Sequence, residues 1–226
     1  MPKPPPGPSR EWDSSAYHRI SAPQFAWGLK VLDRVPLGGN ETVLDAGCGT
    51  GRLTAELLRR LPHARIVAAD LSHNMLETAK ASLSGSQRVR FVNAHLLQLP
   101  FHPVFDGIFS TATFHWISDH SRLFRELLGA LRPRGWLVAQ CGGGPNLKRL
   151  LDRVWDLSQS TKYAPHIGGY RYGWEYSDAE TAASRLRSAG FEDIETSLEK
   201  APTRFDDATL YREFISKVIL HRHLER

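Results

Sequence analysis

The chain has 226 residues, 41% of them hydrophobic, and 29 Lys and Arg against 24 Asp and Glu give a formal charge of +5. That is enough apolar material for one substantial core without a second domain. Basic residues are interspersed with acids, which argues against a nucleic-acid or membrane partner; no apolar run is long enough for a membrane helix or signal peptide, and only Cys48 and Cys141 carry thiols. The expectation is a cytoplasmic protein, monomeric or weakly dimeric, acting on a small molecule.

Residues 1–10 are proline-rich and lack an apolar face, so they read as a disordered tail ahead of a single domain over 11–226. Apolar residues from 15 to 34 follow a helical spacing interrupted at Pro23, which predicts an N-terminal helical arm in two pieces. Strands and helices then alternate: strand 42–46, helix 51–61, strand 65–70, helix 73–83, strand 89–94, strand 105–110, helix 120–131 and strand 135–141. Such alternation predicts an α/β fold, doubly wound around a mostly parallel sheet with helices on both faces. Ser72 is placed to cap the helix after the second strand, and Gly135 follows the helix after the fourth.

Past Cys141 a glycine run opens an insertion over 143–176, with a helix near 146–159 and an aromatic, glycine-rich stretch at 166–174. It lies just beyond a strand's carboxyl end, where open α/β sheets bind ligands, and so reads as a lid. Ser177 and Glu180 read as a capping box for a helix to Gly190, 191–198 as a sixth strand, and 207–223 as a last helix. Nothing after Leu220 can supply a seventh strand, so the sixth is expected to be left as an edge.

The most specific local pattern is Asp45-Ala46-Gly47-Cys48-Gly49-Thr50-Gly51, directly after the first strand. Glycines at alternate positions allow a sharp strand-to-helix turn and let a ligand lie against the peptide planes. A dinucleotide fingerprint would need a third glycine where Arg52 stands. The second strand, in turn, ends in a carboxylate, Asp70.

The DAGCGTG stretch resembles motif I of the class I S-adenosylmethionine-dependent methyltransferases. Within them the chain is similar to the trans-aconitate methyltransferase group, through Trp12–Tyr17, DAGCGTG, Leu71–Leu76 and Ala112–His120. The resemblance implies S-adenosyl-L-methionine as cofactor, held by Asp45, Gly47, Cys48, Gly49 and Gly51 of the loop. It further implies that Asp70 accepts both ribose hydroxyls, with Leu71 and Met75 beside it. Asn93-Ala94-His95 falls where the family usually carries an adenine-binding aspartate, so that a neutral His95 would be the acceptor or adenine recognition would rest on Ala94 and Leu96, and Ser110 and Thr111 fall where the backbone passes the methionine end. Tyr17, His115, Trp116 and Arg171 are the implied substrate-positioning residues.

The implied reaction is methyl transfer to a small acid, in first place carboxyl O-methylation of a trans-aconitate-like molecule. A carboxylate needs no base, whereas a phenol or hydroxyl acceptor would recruit His115. A malonyl-carrier-protein or natural-product O- or C-methyltransferase remains open, as does a non-catalytic cofactor-binding module. Ser110–Phe114 lacks the Asn/Asp-Pro-Pro-aromatic motif of nucleic-acid amino-methyltransferases. His221 and His223 stand two apart on a predicted helix and so point to different faces, and no metal is expected.

Overall fold

The computed structural model describes residues 11–224 apart from 13, 15, 16, 18, 19, 37, 171 and 172. The expected tail over 1–10 and the candidate Arg171 therefore lie outside the described residues. Five strands form one sheet: β1 Thr42–Ala46, β2 Arg65–Asp70, β3 Val89–Asn93, β4 Phe105–Thr111 and β5 Leu131–Gln140. Their order is β3-β2-β1-β4-β5, and every pairing is parallel. The helices are α1 Ala22–Leu32, α2 Arg52–Arg60, α3 His73–Ser82, α4 His120–Ala130, α5 Lys148–Ser158, α6 Ala164–Ile167, α7 Ala179–Ala189, α8 Ala208–Phe214 and α9 His221–Leu224.

Side chains alternate across the strands, so neighbours enter different cores. Val43 and Phe109 join a cluster with Leu32, Leu57, Leu61 and Ile66 on one face, while Leu44 and Ile108 join Phe105, Leu123 and Leu127 on the other. Each fully buried Leu, Ile or Phe contributes about 1.5–3 kcal/mol of apolar transfer, so these two layers carry most of the stability. A third cluster sits apart: Ile20, Phe214, Val218 and Ile219 pack with Tyr17, Leu147, Leu150 and Trp174. It joins the arm, the insertion and the C-terminal segment.

Several local details differ from the sequence reading. The arm breaks at Ser21, and Pro23 sits in the first turn of α1, where a missing N–H costs nothing. Helix α7 is capped by Asp178, whose side chain accepts from the Thr181 amide, and not by Ser177. The Ser177 hydroxyl is instead engaged by Arg185 and Glu175.

Residues 191–198 form no strand. Asp193 has φ of 50°, a left-handed kink that interrupts the extended run, so the expected sixth strand is absent and β5 is the sheet edge. Arg132, Pro133 and Arg134 open that edge strand, with a register shift between Phe105 and Gly107. Charge, a proline and a bulge together discourage pairing with another chain. The expected last helix is divided, α8 being joined to α9 through a π-helical turn at Ile215–Ile219.

Candidate functional site

The strand order reverses between β1 and β4, and the loop after each meets the other there. Such a switch point opens a crevice at the carboxyl ends of the strands. Gly47, Gly49 and Gly51 all have positive φ (84°, 54° and 81°), each for a different reason. A Cβ on Gly47 would lie 2.2 Å from the Thr113 hydroxyl across the crevice, and one on Gly51 would meet Ala79 of α3 at 3.0 Å. At Gly49 a Cβ would meet nothing within 4 Å. The loop is thus packed at both ends and bare in the middle.

Its hydrogen bonds tie it to the end of β2. Gly47 and Cys48 amides both donate to the Ala69 carbonyl, and the Gly49 amide donates to Asp70 Oδ2 at 2.8 Å. Asp70 Oδ1 accepts from the Ser72 amide at 2.9 Å, so each oxygen keeps acceptor capacity beyond one backbone bond. Burial raises its pKa against these hydrogen bonds. Beside it Leu71 is 44% exposed, a large apolar side chain left uncovered next to the Asp70 carboxylate.

Asp45 lies beneath the loop rather than in it. Its carboxylate is 2% exposed, accepts from the Thr54 hydroxyl at 2.6 Å, and has its pKa pushed up to about 7, by burial first, against that hydrogen bond, with the charge of Asp70 adding. Cys48 is buried in the first core cluster, where burial holds its thiol neutral. Cys141 packs against the second cluster, and both thiols are free.

Other expected residues are spent on structure. Met75, Ala94 and Leu96 are buried, Leu96 in the second core cluster, and the Ser110 hydroxyl donates to the Ala46 carbonyl at 2.6 Å. Thr111 accepts through its carbonyl from the Thr113 hydroxyl at 2.9 Å. His95 Nδ1 accepts from the Leu97 amide at 3.0 Å, and burial together with nearby Arg122 keeps the ring neutral. Its remaining nitrogen, Nε2, therefore carries the hydrogen and can only donate.

On the other side of the crevice, Ala112 adopts φ of 52° and its carbonyl accepts from Trp116 Nε1 at 3.2 Å. A non-glycine residue in that region stores about 1–2 kcal/mol, which the surrounding bonds must hold. The turn Phe114–Trp116 is fixed on both flanks: His115 Nδ1 accepts from the Gly142 amide at 3.2 Å, and the His115 carbonyl accepts from the Glu175 amide at 3.0 Å. Burial, helped by His120, lowers the His115 pKa to about 4. The expected base is thus uncharged at neutral pH, with its acceptor nitrogen already occupied.

Trp116 is walled by aromatic rings from three segments distant in sequence. Trp12 of the arm stands 5.2 Å away between centroids, Trp174 of the insertion 5.7 Å, and His221 of α9 6.0 Å. Tyr17 packs edge-on to Trp12 at 5.8 Å, and burial plus the Asp70 charge raise its pKa to about 12, against Arg52. Its hydroxyl stays protonated. Of the expected positioning residues, the structure brings Tyr17, His115 and Trp116 to this wall.

The sequence reading missed several neighbours. Glu11 accepts from the Ser72 hydroxyl and the His73 and Asn74 amides, strapping the arm across the N-terminus of α3 beside Asp70. Arg52 lies over the Phe25 ring at 4.1 Å, near Tyr17. Arg185 binds Glu175, Ser177 and His120 beneath the Phe114–Trp116 turn. Arg52 was read only as the residue that breaks a dinucleotide fingerprint, and Glu11 and Arg185 carry no local signal. Among the described residues no helix is long and apolar enough to cross a membrane, and no three His, Cys, Asp or Glu side chains gather where they could hold a metal ion.

Residues 44–139 match a family model described as a methyltransferase domain. Phosphoethanolamine N-methyltransferase 2 of Haemonchus contortus, solved with S-adenosyl-L-methionine, superposes with a TM-score of 0.63 at 24% identity, over 80% of this chain and 42% of that one. The chain has the class I methyltransferase fold. The [4+2]-cyclase SpnF superposes at 0.58 with 25% identity, over 74% of this chain and 57% of that one. Trans-aconitate 2-methyltransferase of Azoarcus sp. (strain BH72) is 40% identical over 130 residues, 57% of this chain and 50% of that protein. The chain spans about half the length of the curated relatives it matches.

Proposed function

We propose that this chain transfers a methyl group from S-adenosyl-L-methionine to a carboxylate of a small organic acid, a trans-aconitate-like acid being the first candidate. The observation that carries the reading is the bare backbone over Gly49 beside the Asp70 fork, a cradle that any Cβ would fill. Asp70 would accept the ribose hydroxyls, Leu71 would cover one adenine face, and His95 Nε2–H would donate to an adenine ring nitrogen. Arg52 and Tyr17, close to the loop, suit the carboxylate of the cofactor's amino-acid end. The bound cofactor supplies a methyl group already activated on a sulfonium.

The rest is positioning. Alignment within about 3–3.5 Å of the reacting carbon is the main task left to the protein. His115, made a weak base by burial and with Nδ1 already accepting from the Gly142 amide, is poorly placed to remove a proton, and this favours an acceptor that arrives ionised, as a carboxylate does. The insertion over 143–176 acts as a lid, through Trp174 and the Glu175 bond to the Phe114–Trp116 turn. Two free thiols, Cys48 buried and Cys141 half-buried, suit a reducing cytoplasm.

A second reading, a cofactor-binding fold that does not methylate, is favoured by the likeness to SpnF, a [4+2]-cyclase. Calorimetry with the methyl donor, its demethylated product and NAD, followed by an acceptor screen of di- and tricarboxylic acids, separates the two. Donor binding with methyl transfer to an acid is the expected result. Donor binding without transfer to any acid supports the second reading, and failure to bind either sulfur compound sinks both.

A further inference from the structure

Two glutamines end apolar rows at the carboxyl edge of the sheet. Gln24 stands one turn ahead of Gly28, on the face of α1 that also buries Val31 and Leu32, and α1 packs on β4 and β5. Gln140 is the last residue of β5 and shares a face with Trp136 and Val138, which pack against the cluster that holds Val31 and Leu32. Both rows therefore enter one layer. The start of α1 lies at the carboxyl edge, because a Cβ on Gly28 would overlap Leu53 and Phe25 lies under Arg52, the first residues of α2 after the glycine loop. Gln140 is in register with Thr111, and its carbonyl accepts from the Ala112 amide at 2.8 Å, which sets it beside the bank of the crevice that carries the Phe114–Trp116 turn.

The Oε1 oxygens of both glutamines are buried and accept no hydrogen bond among the described residues. A buried amide oxygen without a partner costs free energy that a correctly placed donor recovers on binding. A ligand without that donor leaves the cost standing, so such a site discriminates by a polar group far more strongly than by a methylene. Which end of an amide is oxygen is set by its partners, and the matching group must serve either orientation. A hydroxyl does, since it donates to an amide oxygen and accepts from an amide nitrogen. A carboxylate only accepts, and it would leave Oε1 unpaired.

We propose that Gln24 and Gln140 form a subsite for a hydroxyl group on the methyl acceptor. The inference rests on the proposed methyl transfer and narrows its small acid to a hydroxy acid, in place of trans-aconitate itself. The two residues are specificity determinants: they pair a group remote from the reacting carboxylate and take no part in the transfer.

The test uses the full chain in calorimetric titrations, with and without saturating S-adenosylhomocysteine, and acids that differ by one hydroxyl: malate against succinate, and citrate against tricarballylate. One hydroxy acid or both are expected to bind about tenfold or more tighter than the deoxy partner, the ratio that follows from pairing one buried oxygen. Gln140→Leu keeps the bulk and removes the amide. It should bring that ratio to within about twofold of one without lowering the denaturant midpoint, because an unpaired buried oxygen has gone. A glutamine that only supported the fold would do the reverse. Gln24→Leu is the second variant and is expected to behave alike. Equal binding within both pairs, or an unchanged ratio in both variants, would overturn the subsite. A tenfold or greater loss of S-adenosylhomocysteine affinity in Gln140→Leu would overturn it as well, by assigning the amide to the cofactor. If S-adenosylhomocysteine binds while the acids are not discriminated, the subsite falls and the methyl-transfer reading stands. Hydroxyl selectivity without S-adenosylhomocysteine binding leaves a hydroxyl site and removes the methyl-transfer reading.

Discussion

Residues 45–51 and the aromatic wall around Trp116 face each other across the same crevice and are specified by different means. The loop is one uninterrupted stretch whose shape is set by backbone: three positive φ values, and amides donating to Ala69 and Asp70. The wall is set by side chains from residues 12, 116, 174 and 221, which meet only after the arm, the insertion and the C-terminal segment have packed. Backbone-coded sites tolerate almost no substitution at their glycines, whereas a side-chain wall can exchange rings and change ligand while the fold persists.

The largest effect is expected from a change that breaks the loop. Gly47→Val would force a β-branched side chain into φ of 84° and against Thr113, 2.2 Å from the added Cβ. Strain and overlap together are expected to cost roughly 3–5 kcal/mol, read as a shift in denaturant midpoint. Gly49→Ala separates cradle from scaffold: its Cβ meets nothing, so stability should fall by only about 1 kcal/mol while methyl-donor affinity drops at least about tenfold. Equal losses of stability at the two positions would refute the distinction between the packed and the bare glycine.

A smaller effect concerns the charge beneath the loop. Asp45 titrates near 7 in the fold, against about 4 when exposed. Between those values the folded chain holds a proton that the unfolded chain has lost, so this residue's contribution is present below about pH 4, declines as pH rises towards 7 and is flat above. Asp45→Asn keeps an acceptor for the Thr54 hydroxyl and removes the titration. It is expected to stabilise the protein by about 2 kcal/mol at pH 8, to change little at pH 4, and to leave donor affinity within about threefold, because the carboxylate lies under the cradle. A variant equally stabilised at both pH values would show that burial of this charge is not the cause.

How much was legible follows the same division. Strands β1 and β2, the loop and Asp70 are written locally, in apolar alternation, alternate glycines and a terminal acid, and the structure places them where the spacing puts them. The cap of α7 was misread by one residue because Ser177 and Asp178 are both good caps, and the choice depends on Arg185, which draws Ser177 away. Residues 191–198 have the apolar spacing of a strand, yet one left-handed residue, Asp193, breaks the ladder. Glu11, His221 and Arg185 carry no local pattern, since their roles come from what tertiary packing sets beside them.

Arg185 tests the wall at its support and is expected to change stability as little as Gly49→Ala does. Its guanidinium donates to Glu175 at 2.8 Å and to Ser177 and reaches His120 Nδ1 at 3.3 Å, while His120 Nε2 meets the Phe114 carbonyl at 3.0 Å. Burial alone would raise the Glu175 carboxyl, and Arg185 holds it below the usual carboxylate range. The network therefore links α7 to both flanks of the Phe114–Trp116 turn without touching the crevice. Arg185→Ala is expected to cost only about 1 kcal/mol, since the group is partly exposed and screened. Loosening the turn should raise the acceptor KM by about fivefold or more while donor affinity stays constant, because the donor side is held by backbone on the other bank. Equal weakening of donor and acceptor would mean that the two banks of the crevice are one mechanical unit, and the contrast between backbone-coded and side-chain-coded halves would have to be abandoned.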